Sequence, residues 1–318
     1  MKIIKKIYLA GFSNSQIKYI KKNFLKSTFI TDSKVSYKPK LCNAIIANNR
    51  SSIKIILKKI DFKKDKMIKW IHLPGAGIEE FSFLKNKHNV VFTNNKTIHG
   101  TQVAEHAMAL LLALTRKLNL IIKYGQKIKF DKRPIELKNK NTLIIGYGGV
   151  GSSIAKKTAA FGMHVKVVSN SYKSHPNYIK KFFLYNKLDK AIKNTDVLFI
   201  TVPLTEKSKN IINGQIIKKL NKGGFIINVS RGGCLNIKSV EKYLKKDHLG
   251  GVGLDVTDPE PLPKNHNLFK MKNVIITPHT GIISDNFSDK NFDLTIENIK
   301  RYLKNRKLKN IVSPNKWY

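Results

Sequence analysis

The stretch Gly146-Tyr147-Gly148-Gly149-Val150-Gly151 decides the fold of this chain. It follows the apolar run Thr142-Leu143-Ile144-Ile145 and precedes residues 152–161, where apolar side chains recur at helical spacing. Strand, glycine loop and helix in this order are the context in which G-x-G-x-x-G indicates dinucleotide binding. Backbone N–H groups at the helix start then face a pyrophosphate, and glycine lets the backbone approach it closely. We therefore predict dinucleotide contacts at Gly146, Gly148, Gly149, Val150 and Gly151.

Length and cysteine content limit the class of protein. A chain of 318 residues suggests about two domains. Cys42 and Cys234 are too few for a disulfide framework or a cysteine-rich metal site. We therefore expect reduced thiols, no metal and a cytoplasmic protein. No apolar run reaches the ~18 residues of a membrane helix, and residues 1–11 lack the pattern of a signal peptide. We expect no membrane association.

The formal net charge of +40 raises the question of nucleic-acid binding. Arginine, whose planar fork suits base and phosphate recognition, is confined to positions 50, 116, 133, 231, 301 and 306. The remaining basic residues are lysines, which are scattered along the whole chain rather than clustered. We expect no nucleic-acid partner, and we expect the charge to attract anionic substrates and cofactors in a salt-dependent way.

Strands and helices alternate along the chain. Apolar runs predict strands at 7–10, 44–47, 69–73, 90–93, 142–145, 165–168, 197–201, 225–229, 251–256 and 274–277. Helical spacing predicts helices at 16–24, 52–60, 101–124, 152–161 and 285–304. Such alternation indicates an α/β protein whose parallel sheets carry helices on both faces. We predict two doubly wound parallel-sheet domains.

Three later segments each place a polar residue after an apolar strand. Ile226-Ile227-Asn228-Val229-Ser230 leads to Arg231, Gly253-Leu254-Asp255-Val256 leads to Glu260, and Ile275-Ile276-Thr277-Pro278 leads to His279. The carboxyl ends of parallel strands form the ligand crevice, where these side chains could converge. Arginine binds carboxylates bidentately, histidine moves protons near neutral pH, and a carboxylate can orient that histidine. The set suits hydride transfer between a nicotinamide and a 2-oxo acid.

These segments, together with several others, resemble the D-isomer-specific 2-hydroxyacid dehydrogenase family over nearly the whole chain. The other matching segments are Pro74-Gly75-Ala76-Gly77, Val103-Ala104-Glu105-His106-Ala107 and Val202-Pro203-Leu204-Thr205. The pattern is most similar to the glyoxylate/hydroxypyruvate reductase branch. The resemblance implies a Rossmann-type dinucleotide-binding domain at 99–282, inserted into a flavodoxin-like substrate domain formed by 1–98 and 283–318. It also implies a homodimer.

The resemblance further implies roles for individual residues. Arg231 would bind substrate, His279 would be the acid/base and Glu260 would support it. The backbone N–H groups of Ala76 and Gly77 would bind the substrate carboxylate, and Asp255 would hold the nicotinamide carboxamide. Further cofactor contacts are expected at Val202, Pro203, Ser230 and Gly281. His106 lies in an apolar helical stretch, and we expect it to be a packed, hydrogen-bonded side chain.

The strand after the glycine loop favours NADP over NAD. An NAD-binding loop of this type is usually followed, about 20 residues on, by an acid that binds the ribose hydroxyls. Here Val165-Lys166-Val167-Val168 is followed by Ser169, Asn170, Ser171 and, after Tyr172, by Lys173. These side chains could donate hydrogen bonds to a 2′-phosphate, which a carboxylate would repel.

The leading hypothesis is an NAD(P)H-dependent reductase of a small 2-oxo acid, with glyoxylate or hydroxypyruvate first. Phosphoglycerate or another D-2-hydroxy acid remains an alternative substrate. A non-catalytic dinucleotide-sensing co-repressor on the same fold is the alternative of a different class.

Overall fold

The computed structural model describes residues 5–31, 42–85, 87, 89–125, 130 and 132–313. The chain divides into two compact units, of which the first joins Met1–Ile98 to Asp285–Tyr318 and the second is His99–Ser284. In the described part of the chain, no helix is both long and apolar enough to cross a bilayer.

The described strands and helices follow one another in near-regular alternation. The strands are β1 Lys6–Ala10, β2 Thr28–Thr31, β3 Ala44–Ala47, β4 Trp70–Leu73, β5 Val91–Asn94, β6 Asn141–Ile145, β7 His164–Ser169, β8 Ile179–Leu184, β9 Val197–Ile200, β10 Gly224–Asn228, β11 Leu249–Leu254 and β12 Val274–Ile276. The helices are α1 Asn14–Asn23, α2 Arg50–Leu57, α3 Gly100–Thr115, α4 Leu118–Tyr124, α5 Gly149–Ala160, α6 Leu188–Ala191, α7 Gly214–Ile217, α8 Ile237–Lys245 and α9 Phe287–Leu303.

The first unit is built on a parallel sheet with the strand order β2-β1-β3-β4-β5. This is the flavodoxin-like order of doubly wound folds. The central strands β3 and β4 are buried at every residue, as expected for strands covered on both faces. Apolar clusters lie on the two faces of the sheet, and Ile299 of α9 belongs to one of them.

A buried polar chain links β4, β5 and α9 within this unit. Trp70 Nε1 donates to Thr93 Oγ1 at 2.9 Å, which leaves the Thr93 hydroxyl proton for His72 Nδ1, also at 2.9 Å. His72 Nε2 must then donate to Asn95 Oδ1 at 2.9 Å, while Asn95 Nδ2 donates to Asn291 Oδ1. His72 is therefore neutral in the folded chain. Burial lowers the pKa of its imidazole to about 4, against the opposing effect of the Asn95 hydrogen bond.

The second unit is built on a parallel sheet in the order β12-β11-β10-β9-β6-β7-β8. Counted from β6, the first six strands have the 3-2-1-4-5-6 order of the dinucleotide-binding fold, and β12 extends the sheet. The topology reverses next to β6, so the loop after β6 lies at the switch point, where ligands bind in open parallel sheets. The prediction of two doubly wound parallel-sheet domains is confirmed.

Two expected features differ from the structure. The predicted helix 101–124 is two helices, α3 and α4, because the chain turns at Lys117, whose φ of 60° is left-handed. The Thr115 hydroxyl donates to the Leu111 carbonyl one turn back, at 2.9 Å. Strands β2 and β8 were not predicted. Both are edge strands with few buried residues, so their apolar pattern is weak.

Candidate active site

The glycine loop after β6 is closed on one side and open on the other. Gly146 has a φ of +102°, and a Cβ atom at Gly151 would lie 2.0 Å from the Gly146 carbonyl oxygen. A Cβ atom at Gly148 would meet nothing within 4 Å among the described residues. Only glycine therefore allows the tight side of the loop, whereas the space beside Gly148 is free for a ligand.

The start of α5 makes this open side suitable for an anion. Gly148 is the N-cap residue and has no side chain that could accept a hydrogen bond from the first helical N–H groups. In the described first turn of α5 there is no acidic residue. Unpaired N–H groups and the helix dipole together attract phosphate, so the pyrophosphate of a dinucleotide fits here.

The residues after β7 lie next to this loop. Ser169 ends β7 and is buried, whereas Asn170, Ser171 and Lys173 are exposed. The Lys173 ammonium donates to the Tyr147 carbonyl oxygen at 2.9 Å, which brings its charge to the glycine loop. A positive charge and short polar side chains thus occupy the position where an NAD-specific loop usually carries an acid.

His279 and Glu260 form a close polar pair at the strand ends of this unit. His279 Nδ1 lies 2.6 Å from Glu260 Oε1, and the two side chains are 43% and 41% exposed. The pair connects the segment after β11 with the segment after β12. His279 has a φ of 55°, a left-handed conformation that is uncommon for residues other than glycine.

A close backbone approach brings the Arg231 segment to the same group of loops. A Cβ atom at Gly232 would lie 1.9 Å from the Thr257 carbonyl oxygen, so only glycine permits this contact. The Thr257 amide in turn points at Glu260 Oε2, 3.4 Å away. Arg231 Nη1 donates to the Ser230 carbonyl oxygen at 2.6 Å. The second unit therefore brings the segments of Arg231, Glu260 and His279 together.

Asp255 is the buried centre of the turn that carries His279. Its side chain is 4% exposed, and burial alone would raise the pKa of the carboxyl group. Hydrogen bonds outweigh burial and hold this pKa at about 2. Their donors are His106, Thr277, Gly281 and Thr280. The carboxylate is therefore ionised and fixes both ends of the turn around His279.

The loop after β4 in the first unit offers backbone donors. Three of its carbonyl oxygens accept hydrogen bonds: that of Gly75 from the Asn95 amide, that of Ala76 from Asn94 Nδ2 and that of Gly77 from Arg50 Nη2. Among the described residues, no acceptor pairs with the amides of Gly75, Ala76 or Gly77. Consecutive unpaired N–H groups form an anion-binding nest.

Comparison with known proteins identifies the family. The profile described as "D-isomer specific 2-hydroxyacid dehydrogenase, NAD binding domain" matches residues 108–281, which is more than half of the chain. The chain belongs to this family. As a member of the D-isomer-specific 2-hydroxyacid dehydrogenases it is an NAD(P)-dependent oxidoreductase, as the resemblance predicted.

Two relatives of the chain are named as reductases. The chain is 30% identical over 251 residues to a glyoxylate/hydroxypyruvate reductase of Arabidopsis thaliana, covering 74% of this chain and 76% of that protein. It is 29% identical over 226 residues to a glyoxylate reductase of Thermofilum pendens, covering 69% and 66%. A 2-hydroxyacid dehydrogenase structure from Xanthobacter autotrophicus Py2, in complex with NADPH and MES, has a TM-score of 0.81 at 19% identity, covering 99% of each chain. The structural likeness supports the fold.

The contacts that four residues near these family motifs make with the candidate site could be recognised only from the structure. Thr277 and His106 contact Asp255, and Arg50 and Asn94 hold carbonyl groups of the nest. The sequence prediction of a packed, hydrogen-bonded His106 is consistent with these contacts, but it named no partner. For Asn94 and Thr277 the sequence does contain a signal of a role in the site, because each is a polar residue at the carboxyl end of a predicted parallel strand.

Proposed function

We propose that the protein uses NADPH to reduce a small 2-oxo acid, either glyoxylate to glycolate or hydroxypyruvate to D-glycerate. The observation that carries this proposal is the His279–Glu260 contact at 2.6 Å, beside the close-packed Arg231 segment. A histidine oriented by a carboxylate is a proton donor, and a neighbouring arginine is a carboxylate ligand. The names of the two reductase relatives support the choice of substrate.

In this proposal His279 donates a proton to the carbonyl oxygen of the substrate through Nε2, because Nδ1 is engaged by Glu260. Arg231 binds the substrate carboxylate and polarises the adjacent carbonyl group. The hydride for the carbonyl carbon would come from a nicotinamide bound at the glycine loop. The carbonyl double bond becomes a C–O–H group, and His279 recovers its proton from solvent.

The nest after β4 supports a second contact to the carboxylate. The amides of Ala76 and Gly77 belong to a loop that is held in place by the hydrogen bonds to the carbonyl oxygens of Gly75, Ala76 and Gly77. We assign these two amides to the substrate carboxylate, which suits a nest that attracts anions.

The cofactor contacts follow the open side of the glycine loop. Val150 and the glycines Gly146, Gly148, Gly149 and Gly151 hold the pyrophosphate at the start of α5. Asp255 holds the nicotinamide carboxamide, and its low pKa keeps it an acceptor. The remaining contacts are assigned to Val202, Pro203, Ser230 and Gly281.

NADP is preferred over NAD in this proposal. Ser169, Asn170, Ser171 and Lys173 donate hydrogen bonds to the 2′-phosphate, and the position of Lys173 at the glycine loop supports this. Ser169→Asp adds a carboxylate that repels the phosphate, so the ratio of kcat/KM with NADPH to that with NADH is expected to fall. A wild-type enzyme with the larger kcat/KM for NADH would contradict the preference.

We expect a cytoplasmic homodimer, with no nucleic-acid partner. Sedimentation of the purified chain tests the dimer. Binding to duplex DNA near physiological salt would contradict the last expectation, since non-specific binding by scattered lysines weakens steeply as salt rises.

A co-repressor on the same fold is disfavoured by one contact. A sensor requires the glycine loop but has no use for the His279–Glu260 pair.

An assay with several substrates distinguishes the proposed reductase from a phosphoglycerate dehydrogenase. Glyoxylate, hydroxypyruvate and phosphohydroxypyruvate are each offered with NADPH and with NADH, and absorbance at the nicotinamide band is followed. We expect the first two to be reduced fastest. No reduction of any 2-oxo acid would overturn the proposal.

A further inference from the structure

His106 projects from α3 onto the turn that carries His279. Its Nε2 atom lies 2.8 Å from Thr277 Oγ1 and 3.2 Å from Asp255 Oδ1, and its side chain is 22% exposed. Thr277 directly follows β12 and is 171 positions away in sequence. A side chain of the helix thus contacts both the strand end and the carboxylate around which the turn is built.

The direction of these hydrogen bonds fixes the proton on His106. Thr277 Oγ1 donates its only hydroxyl proton to Asp255 Oδ1 at 2.7 Å, so it can only accept from His106. The ionised Asp255 oxygen is also an acceptor. His106 therefore carries a proton on Nε2 and donates it to both oxygens.

Both flanks of His279 are held by this arrangement. The amides of Thr280 and Gly281 donate to the Asp255 carboxylate at 2.9 and 3.0 Å, and the His279 amide donates to the Asp255 carbonyl oxygen at 2.9 Å. A Cβ atom at Gly281 would lie 3.2 Å from His106 Cδ2, so the ring of His106 packs directly against the turn.

We propose that His106 is a positioning residue for His279. It holds Thr277 and Asp255 in place by donating from Nε2, and it supports Gly281 with its ring. The left-handed backbone at His279 is uncommon for a non-glycine residue and persists because its surroundings fix it. The inference rests on the proposed acid/base role of His279.

Two substitutions separate the hydrogen bond from the packing. His106→Phe keeps a ring against Gly281 but removes the donor, whereas His106→Gln places an amide N–H near the position of Nε2. A displacement of about 1 Å at a reacting group can cost roughly 10²-fold in rate. We therefore expect His106→Phe to lower kcat at least about tenfold and His106→Gln to retain at least about a third of it.

The affinity for the dinucleotide is the control for folding, because a variant with a generally disturbed structure would also bind NADPH more weakly. We expect the Kd for NADPH, measured without substrate, to stay within about threefold in both variants, because Asp255 keeps its other donors. Equal loss of kcat in both variants, wild-type kcat in His106→Phe, or a large loss of NADPH affinity would overturn the inference.

A second pair and a spectroscopic signature keep the inference testable if His106→Phe does not fold. Thr277→Ser preserves the relay and Thr277→Val removes it, so Thr277→Val alone is expected to lower kcat. In the ligand-free protein, ¹⁵N spectra of the imidazole should show a proton on His106 Nε2. An unprotonated Nε2 would contradict the assigned geometry.

Failure of the inference can be distinguished from failure of the proposed function. If the wild-type protein reduces no 2-oxo acid, or if His279→Gln keeps full activity, the acid/base role fails and the inference falls with it. If both controls behave as proposed and only the His106 variants do not, the inference alone is wrong.

Discussion

His279 Nδ1 and Glu260 Oε1 lie 2.6 Å apart, although 19 positions separate the two residues in sequence. The contact joins the loops that follow β11 and β12, and it engages Nδ1 rather than Nε2, the atom that we propose as the proton donor. We assign to the carboxylate the task of orienting the ring.

Removing either partner should affect the rate of the chemical step. We expect His279→Gln to lower kcat by roughly 10²–10⁴-fold, the usual contribution of a general acid. Glu260→Gln retains a hydrogen-bonding oxygen but loses the charge, so its effect should be smaller, about tenfold or more. Steady-state kinetics measures both, with Kd for NADPH as the control. A loss of NADPH affinity comparable to the loss in kcat would argue against the acid/base role.

Arg231→Lys tests whether the planar fork matters. Lysine keeps the charge but cannot make two parallel hydrogen bonds to a carboxylate. We expect kcat/KM for the 2-oxo acid to fall by about 10²-fold, because a hydrogen-bonded charge pair contributes a few kcal/mol. Arg116→Lys, which lies in the same unit at the end of α3, is the matched control and should leave kcat/KM unchanged. Equal activity of Arg231→Lys and wild type would exclude bidentate binding.

Two glycines of the same loop should respond differently to alanine. Gly148 has φ −97° and ψ −157° with open space around it, so Gly148→Ala should fold normally and weaken dinucleotide binding. Gly151→Ala places a Cβ atom 2.0 Å from the Gly146 carbonyl oxygen and should lower the melting temperature as well. Thermal unfolding and NADPH titration distinguish the two. Unchanged NADPH affinity in Gly148→Ala would show that the pyrophosphate does not lie beside this residue.

The buried His72 makes stability depend on pH. Its folded pKa of about 4 is below the ordinary value of 6.5, so between these pH values the unfolded chain binds the proton and the folded chain does not. Its contribution to the free energy of unfolding is therefore complete above pH 6.5 and is lost as the pH falls. The loss is up to about 1.4 kcal/mol per pH unit.

The measurement compares unfolding of wild type and His72→Asn from pH 7.5 to 4.5. The variant is expected to be less stable at neutral pH and to show a shallower dependence on pH. The exposed His164, substituted as His164→Asn, provides the control and should keep the wild-type slope. Identical slopes in wild type and His72→Asn would contradict a buried neutral imidazole.

The sequence predicted the order of most strands because buried parallel strands are near-continuous apolar runs. Strands β9 and β10, which are buried at every residue, are examples. It did not predict β8, where only Ile179 is buried and Lys180 and Lys181 interrupt the pattern. It also merged α3 with α4, since the left-handed Lys117 is marked by neither glycine nor proline.

At the candidate site, the sequence could indicate single residues but not their contacts with residues far away in the chain. Arg231, Glu260 and His279 could be named because each follows an apolar run at a strand end. The partners of Asp255 and of the nest could not, because His106 meets Thr277 across 171 positions and Arg50 meets Gly77 across 27. Only packing of α3 on the sheet, and of α2 beside the loop after β4, creates those contacts.

Hydride transfer to a 2-oxo acid is the central claim, and one assay tests it most directly. Purified wild-type protein and His279→Gln are each mixed with NADPH and glyoxylate or hydroxypyruvate, and oxidation of NADPH is followed. We predict turnover by the wild type, formation of glycolate or D-glycerate, and a loss of kcat of roughly 10²-fold or more in the variant, which still binds NADPH. No NADPH oxidation by the folded wild-type protein, or equal rates for both proteins, would contradict the account.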